Sequence, residues 1–180
     1  MTPSSSARFA LVALLALVVQ VGVLDQIVVL GAHPDVMIVL AASAGLVLGA
    51  ERGATLGFFL GLVADLVLPS PYGLSALAYV FIAFGAGLLR QLPGDRDTRG
   101  VQAAACVAVS ALGTVLYALL GGLIGQSGML SGQLVYVTLV VTLGSVVLAV
   151  PSLATMRWVQ RATERGEATY PVPSGGSAAR

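Results

Sequence analysis

Side chains able to do chemistry are few in this chain, and most stand at the edges of long apolar runs. Asp65 is the exception, an acid embedded within the run GFFLGLVADLVLPSP. A carboxylate near the end of a membrane helix opposes that helix's dipole, and ionisable groups inside spans are costly and usually have a task. Three roles suit it: a hydrogen bond across helices, a contact with a partner's basic group, or a ligand contact. The alternative is a hydrated interfacial position with no task. Asp35, in Ala32-His33-Pro34-Asp35, opens the preceding apolar run, over 36–50. An acid in a first helical turn is favoured by the dipole, and a proline is tolerated there, so capping alone accounts for it. His33, the lone histidine, is a pH-sensitive group or a plain loop residue. Gly125-Gln126-Ser127-Gly128 has the spacing of a membrane serine nucleophile, but such a serine needs a histidine beside it to activate it, and His33 belongs to a different loop. Cys106, the single cysteine, lies among alanines and valines and reads as a small packing residue. No His/Cys/Asp cluster suits a metal, no run of acids suits Mg²⁺, and no cofactor is implied. Enzyme chemistry finds no constellation here.

The most ordered spacing belongs to glycine. Gly45, Gly49, Gly53, Gly57 and Gly61, then Asp65, each follow the last by four residues. Gly45 and Gly49 are expected to share one helix face with Ala41, and Gly57, Gly61 and Asp65 another. Small residues at this period let backbones approach closely, which matters in lipid because burying apolar surface there gives no drive for association. The ladder predicts tight packing of these two helices, against each other or a neighbour.

The elements that must hold these residues are apolar throughout. Apolar residues make up 57% of the 180, charged residues only 9%, and mean hydropathy is +0.96. A soluble domain carries about a quarter charged residues, so a bilayer is the solvent this surface fits. Six apolar runs separate cleanly, over 9–24, 36–50, 54–68, 74–89, 101–124 and 134–156. The first reads as a retained span, because its end offers a poor cleavage site. The second and third are short of the roughly 20 residues a crossing needs; their flanks, or local thinning, make up the shortfall. A re-entrant hairpin is the rival for this pair, at the cost of burying Glu51 and Arg52. Lysine is absent, and with both ends placed inside, all nine arginines fall on one side of the membrane. The domain reading is an N-terminal tail over 1–7, a six-helix membrane domain over 8–160 and a disordered cytoplasmic tail over 161–180. Arg157, Arg161 and Arg165 lie four apart; a helix continuing past the bilayer would put them on one face, as topology anchors or a grip on anionic lipid.

The stretch from Pro34-Asp35 through Gly49, Gly53, Gly57-Phe58, Gly61-Leu62 and Asp65 to Pro71, Gly73-Leu74 and Leu77 resembles the rod shape-determining protein MreD family. The family's pattern is an outer Pro-Asp opening a helix, a glycine, then G-x-x-x-G-F-x-x-G-L-x-x-D, then a short Pro/Gly turn before an apolar helix. The resemblance spans roughly residues 8–160, with its distinctive residues in 34–77. It implies a non-catalytic subunit of the bacterial cell-elongation machinery, set in the cytoplasmic membrane and partnered by MreC, a single-span protein with an extracytoplasmic domain. Through MreC it would support RodA, its transpeptidase and MreB in lateral peptidoglycan synthesis. The implied fold is an all-α compact bundle of about six transmembrane helices, similar to the substrate-binding subunits of energy-coupling-factor transporters. On this reading the outer ends of spans two to four form the docking surface, with Asp65, Asp35, Pro71 and Gly73 as candidate contacts and the glycine ladder fixing their geometry.

The alternative is a small-molecule-binding subunit of a transporter of that similar fold. It needs a pocket where polar or aromatic groups converge; Tyr79, Gln102, Tyr117 and Tyr136 are its candidates, scattered over different spans.

Overall fold

The computed structural model describes residues 3–26, 34–67, 73–91, 98–123 and 133–169. Among them are six α-helices: α1 (Pro3–Gly22, followed by a 3-10 turn at Leu24–Gln26), α2 (Val36–Leu48), α3 (Ala50–Asp65), α4 (Leu74–Gln91), α5 (Arg99–Leu123) and α6 (Gln133–Thr169). Four segments, Ser6–Gln26, Leu74–Gln91, Arg99–Leu123 and Leu134–Arg161, are long and apolar enough to cross a membrane.

The centre is α2. Its sequence VMIVLAASAGLVL is apolar all round, the pattern of a helix with no solvent face, and every residue from Val36 to Val47 is buried. All five other helices touch it. At 13 residues it is about 20 Å long, too short for a hydrocarbon layer of about 30 Å. Enclosure by protein removes the difficulty, because protein groups meet its ends: Asp35 caps the start, and the Arg90 guanidinium donates to the Val47 carbonyl at the finish. At its waist Ser43 Oγ lies 3.3 Å from Cys106 Sγ on α5, so Cys106 is the packing residue its setting predicts.

α3 departs from the expected boundaries. The turn predicted between 50 and 54 is instead the single residue Gly49, at φ +89°, a left-handed conformation that favours glycine. Its N–H bonds to the Gly45 carbonyl, its own carbonyl accepts from the Gly53 N–H, and α3 begins at once. Glu51 then lies in the first turn of α3, where the dipole favours an acid.

Tight packing follows the ladder. A Cβ added at Gly53 would sit 2.6 Å from the Gly45 Cα, and one at Gly57 the same distance from the Tyr79 carbonyl oxygen. At Gly61 it would strike the Ala76 backbone, and at Gly45 the Ala83 carbonyl. Gly45 and Gly53 thus join α2 to α3, while Gly45, Gly57 and Gly61 bring α4 onto both. Gly49 is the corner between helices: a Cβ there would meet open space, while its backbone lies against Gly87 of α4. The α2–α3 hairpin runs the length of α4: Asp65 meets the start of α4 and Val47 meets Arg90 near its end.

The outer helices run further than composition suggests. α1 starts at Pro3, within the tail expected over 1–7; proline suits a first helical position. α6 continues to Thr169, so the tail expected over 161–180 begins inside a helix. Arg161, Ala162, Glu164, Arg165, Glu167 and Ala168 are good helix formers, and the one glycine among them, Gly166, costs only about 1 kcal/mol.

Candidate functional site

Asp25, Asp35 and Asp65 gather at one end of the α2–α4 unit. Asp65, 2% exposed, is placed by the last turn of α3, and its carboxylate turns onto the beginning of α4. Its Oδ2 accepts from the N–H of Gly73 at 2.8 Å and of Ala76 at 3.3 Å, and its Oδ1 from Ser75 N–H at 3.1 Å. A helix leaves its first N–H groups unpaired, and here a side chain from the preceding helix satisfies three of them. The charge that opposes the dipole of α3 lies at the positive end of α4, which resolves the electrostatic objection to its position. Of the three roles open to Asp65, the hydrogen bond across helices is the one its oxygens fill. Gly73 stands at the turn with φ +94°.

Asp35 does the same for α2. Its Oδ1 accepts from the N–H of Met37 at 2.8 Å and of Ile38 at 3.2 Å, while its Oδ2 accepts from the Tyr79 hydroxyl at 3.1 Å. Tyr79, on α4, is buried. Gln20 completes the arrangement from α1: its Oε1 accepts from the Val36 N–H at 2.9 Å, and its Nε2 donates to Asp25 at 2.8 Å and to the Pro34 carbonyl at 3.2 Å. A continuous set of polar contacts therefore ties α1, α2, α3 and α4 together at this end. Asp35, Asp65 and Gly73 are brought to one end as expected; Pro71 and His33 lie outside the described residues, as does the Gly125–Gly128 stretch. Gln20 and Tyr79 were not singled out for this role. Their signal was present in the sequence, each being a long polar side chain within about a turn and a half of the end of an apolar run.

Beside this end lies a groove between α1 and α3, apolar along almost its whole length and with a volume of about 830 Å³. It runs from Ser6 and Phe9 at one end to Asp65, Leu66 and Gly73 at the other, the height of the α1 span. Leu66, at its acidic end, is 75% exposed.

The opposite end holds the described arginines. Arg8 stacks on Trp158, 4.5 Å from the ring centre, and donates to its carbonyl, joining α1 to α6. Arg157 bonds Gln102 at 2.5 Å, and Gln102 shares a small crevice with Arg90. Of the transporter candidates, Tyr79 serves Asp35 and has Tyr117 nearby, whereas Gln102 serves Arg157 at the far end and Tyr136 faces outward at 53% exposure. Among the described residues no group of three or more His, Cys, Asp and Glu could hold a metal.

A buried central helix, four helices long and apolar enough to cross a bilayer, and described Asp, Glu and Arg residues that lie at the helix ends define a helical membrane protein with several spans. The family model described as rod shape-determining protein MreD matches residues 6–153, and the chain belongs to that family, whose role is in rod shape determination. No curated protein and no solved structure matched the chain.

Proposed function

We propose that the chain is a non-catalytic subunit of the bacterial cell-elongation complex that binds MreC and through it supports lateral peptidoglycan synthesis. It lies in the cytoplasmic membrane with both termini in the cytoplasm, the arginine end inward and the acidic end outward. The observation that carries the docking assignment is the turn held by Asp65 at the head of the α1–α3 groove. A partner with one span and an outer domain needs an apolar track through the bilayer and a fixed surface at its outer mouth. The groove, with Asp65, Leu66 and Gly73 at its outer mouth, supplies both in one line. Asp65 reaches such a partner through the turn it positions, since its own oxygens are engaged. Asp35 acts likewise through the start of α2, and Pro71 and Gly73 belong to the turn itself. RodA, its transpeptidase and MreB join as the larger complex.

The test is purification of the tagged protein from its own membranes in gentle detergent, with a photo-reactive residue at Leu62 in the groove or at Leu143 on the far face of α6. MreC should co-purify and cross-link from Leu62 and not from Leu143. Recovery of an ATPase pair with a coupling membrane subunit would overturn the reading in favour of a transporter. Equal cross-linking from both positions would remove the groove from it.

A further inference from the structure

At the arginine end, α5 and α6 enclose a cavity of about 270 Å³ lined by Arg99, Val150, Leu153, Ala154, Arg157 and Arg161. We propose that this cavity binds the phosphate headgroup of an anionic phospholipid from the adjoining leaflet. The assignment goes beyond membership of the elongation complex and does not depend on MreC.

Three observations carry it. Three arginines from two helices line one open cavity, and neither Arg99 nor Arg161 makes a hydrogen bond or ion pair among the described residues. Like charges gathered this way repel one another, and an anion between them relieves the repulsion; guanidinium also matches phosphate oxygens in forked pairs. The cavity also opens at the start of α5, whose first residue is Arg99, so the unpaired N–H groups of that turn add positive potential at the same mouth. Finally, the lining is ordered along α6. Val150, Leu153 and Ala154 precede Arg157 and Arg161 at helical spacing on one face, so an apolar floor leads up to a basic rim. That order fits an amphiphile standing in a leaflet, acyl chain below and phosphate above. A free anion would use the rim and leave the floor unused. Arg157, held by Gln102, is the fixed member of the set.

Full-length protein in detergent, titrated with phosphatidylglycerol, phosphatidylcholine or inorganic phosphate and read by native mass spectrometry, tests the assignment. One phosphatidylglycerol should bind about ten-fold more tightly than phosphatidylcholine, and Arg99→Gln or Arg161→Gln should each weaken it about five-fold, the equivalent of roughly 1 kcal/mol per basic group. Since these two side chains hold no partner among the described residues, the lipid-free melting temperatures of both variants should equal that of the parent. Arg52→Gln removes a charge from the same membrane end but outside the cavity, and should change binding less than two-fold by the same arithmetic. Equal losses from Arg52→Gln would mean a diffuse surface effect and overturn the site. Equal affinity for phosphatidylcholine would overturn the charge recognition. Displacement of the lipid by inorganic phosphate at matched concentration would overturn the amphiphile in favour of a free anion.

Discussion

A carboxylate withdrawn from water needs donors, and Asp65 takes three from the backbone of the next helix. Removing it takes the partner from the N–H groups of Gly73, at the exposed turn, and of Ser75 and Ala76, which are buried. Leaving buried donors unpaired costs about 1–3 kcal/mol, so Asp65→Ala is expected to lower the melting temperature in detergent and to reduce MreC recovery while insertion persists. Tyr79→Phe, which deletes one hydrogen bond between helices, should cost about 0.6 kcal/mol, the average found for such bonds in membranes. Ser75→Ala is the control. Its hydroxyl is buried without a partner among the described residues, so its loss should leave the melt unchanged or slightly raised. A melt of Asp65→Ala equal to the parent would show the carboxylate is idle. Asp65 could be singled out from sequence because an acid stands out within an apolar run. Its donors could not, since they lie 8 to 11 residues further on, across a turn whose path no periodicity encodes.

Between helices the same economy of small residues decides how close α4 comes to the α2–α3 hairpin. Gly61 has the Ala76 backbone where a Cβ would stand, whereas Gly85, on the same α4 as Ala76, has nothing within 4 Å. Gly61→Ala should therefore cost about 1–3 kcal/mol through overpacking. Gly85→Ala should be neutral or stabilising by up to about 1 kcal/mol through helix propensity. Thermal melts of the two variants in one detergent check this, and equal melts would mean that the spacing of α3 and α4 is slack. The ladder was legible as packing because four-residue spacing survives on any straight helix. The break at Gly49 was not, because that spacing runs straight through it. Its physical mark, an acid in the first turn after a glycine, is weak against the continuing rhythm of small residues. α4 carries the answering surface in Ala76, Ala83 and Gly87, the last packed against the Ala50 backbone, and the sequence reading passed over it because interleaved phenylalanines disguise the stripe.

For the molecule as a whole, the separation of charge between its two ends determines how it can sit in a membrane. Arg8 is joined to α6 through Trp158, Arg157 to α5 through Gln102, and Arg90 to α2 through Val47, so these arginines belong to one end of a single packed unit. Asp25, Asp35 and Asp65 lie at the other, each bonded to a backbone or side-chain donor. Carrying one arginine to the bilayer centre costs about 2.5–3.5 kcal/mol on the insertion scale. The bias of basic residues sets orientation, and here that bias is shared over many positions. An orientation fixed this way withstands the loss of one charge, so Arg52→Gln should keep the parent topology. Cysteine labelling reads it out directly, because Cys106 is buried and silent toward an impermeant maleimide. In intact cells, cysteines introduced as Thr2→Cys and Ser174→Cys should be protected until the membrane is opened, while Gln126→Cys should label at once. The same pattern is expected with Arg52→Gln in the background. Protection of Gln126→Cys together with labelling of both termini would invert the protein. That result would put the acidic turn on the cytoplasmic side, out of reach of an extracytoplasmic partner domain, and the proposed docking of MreC there would fall with it.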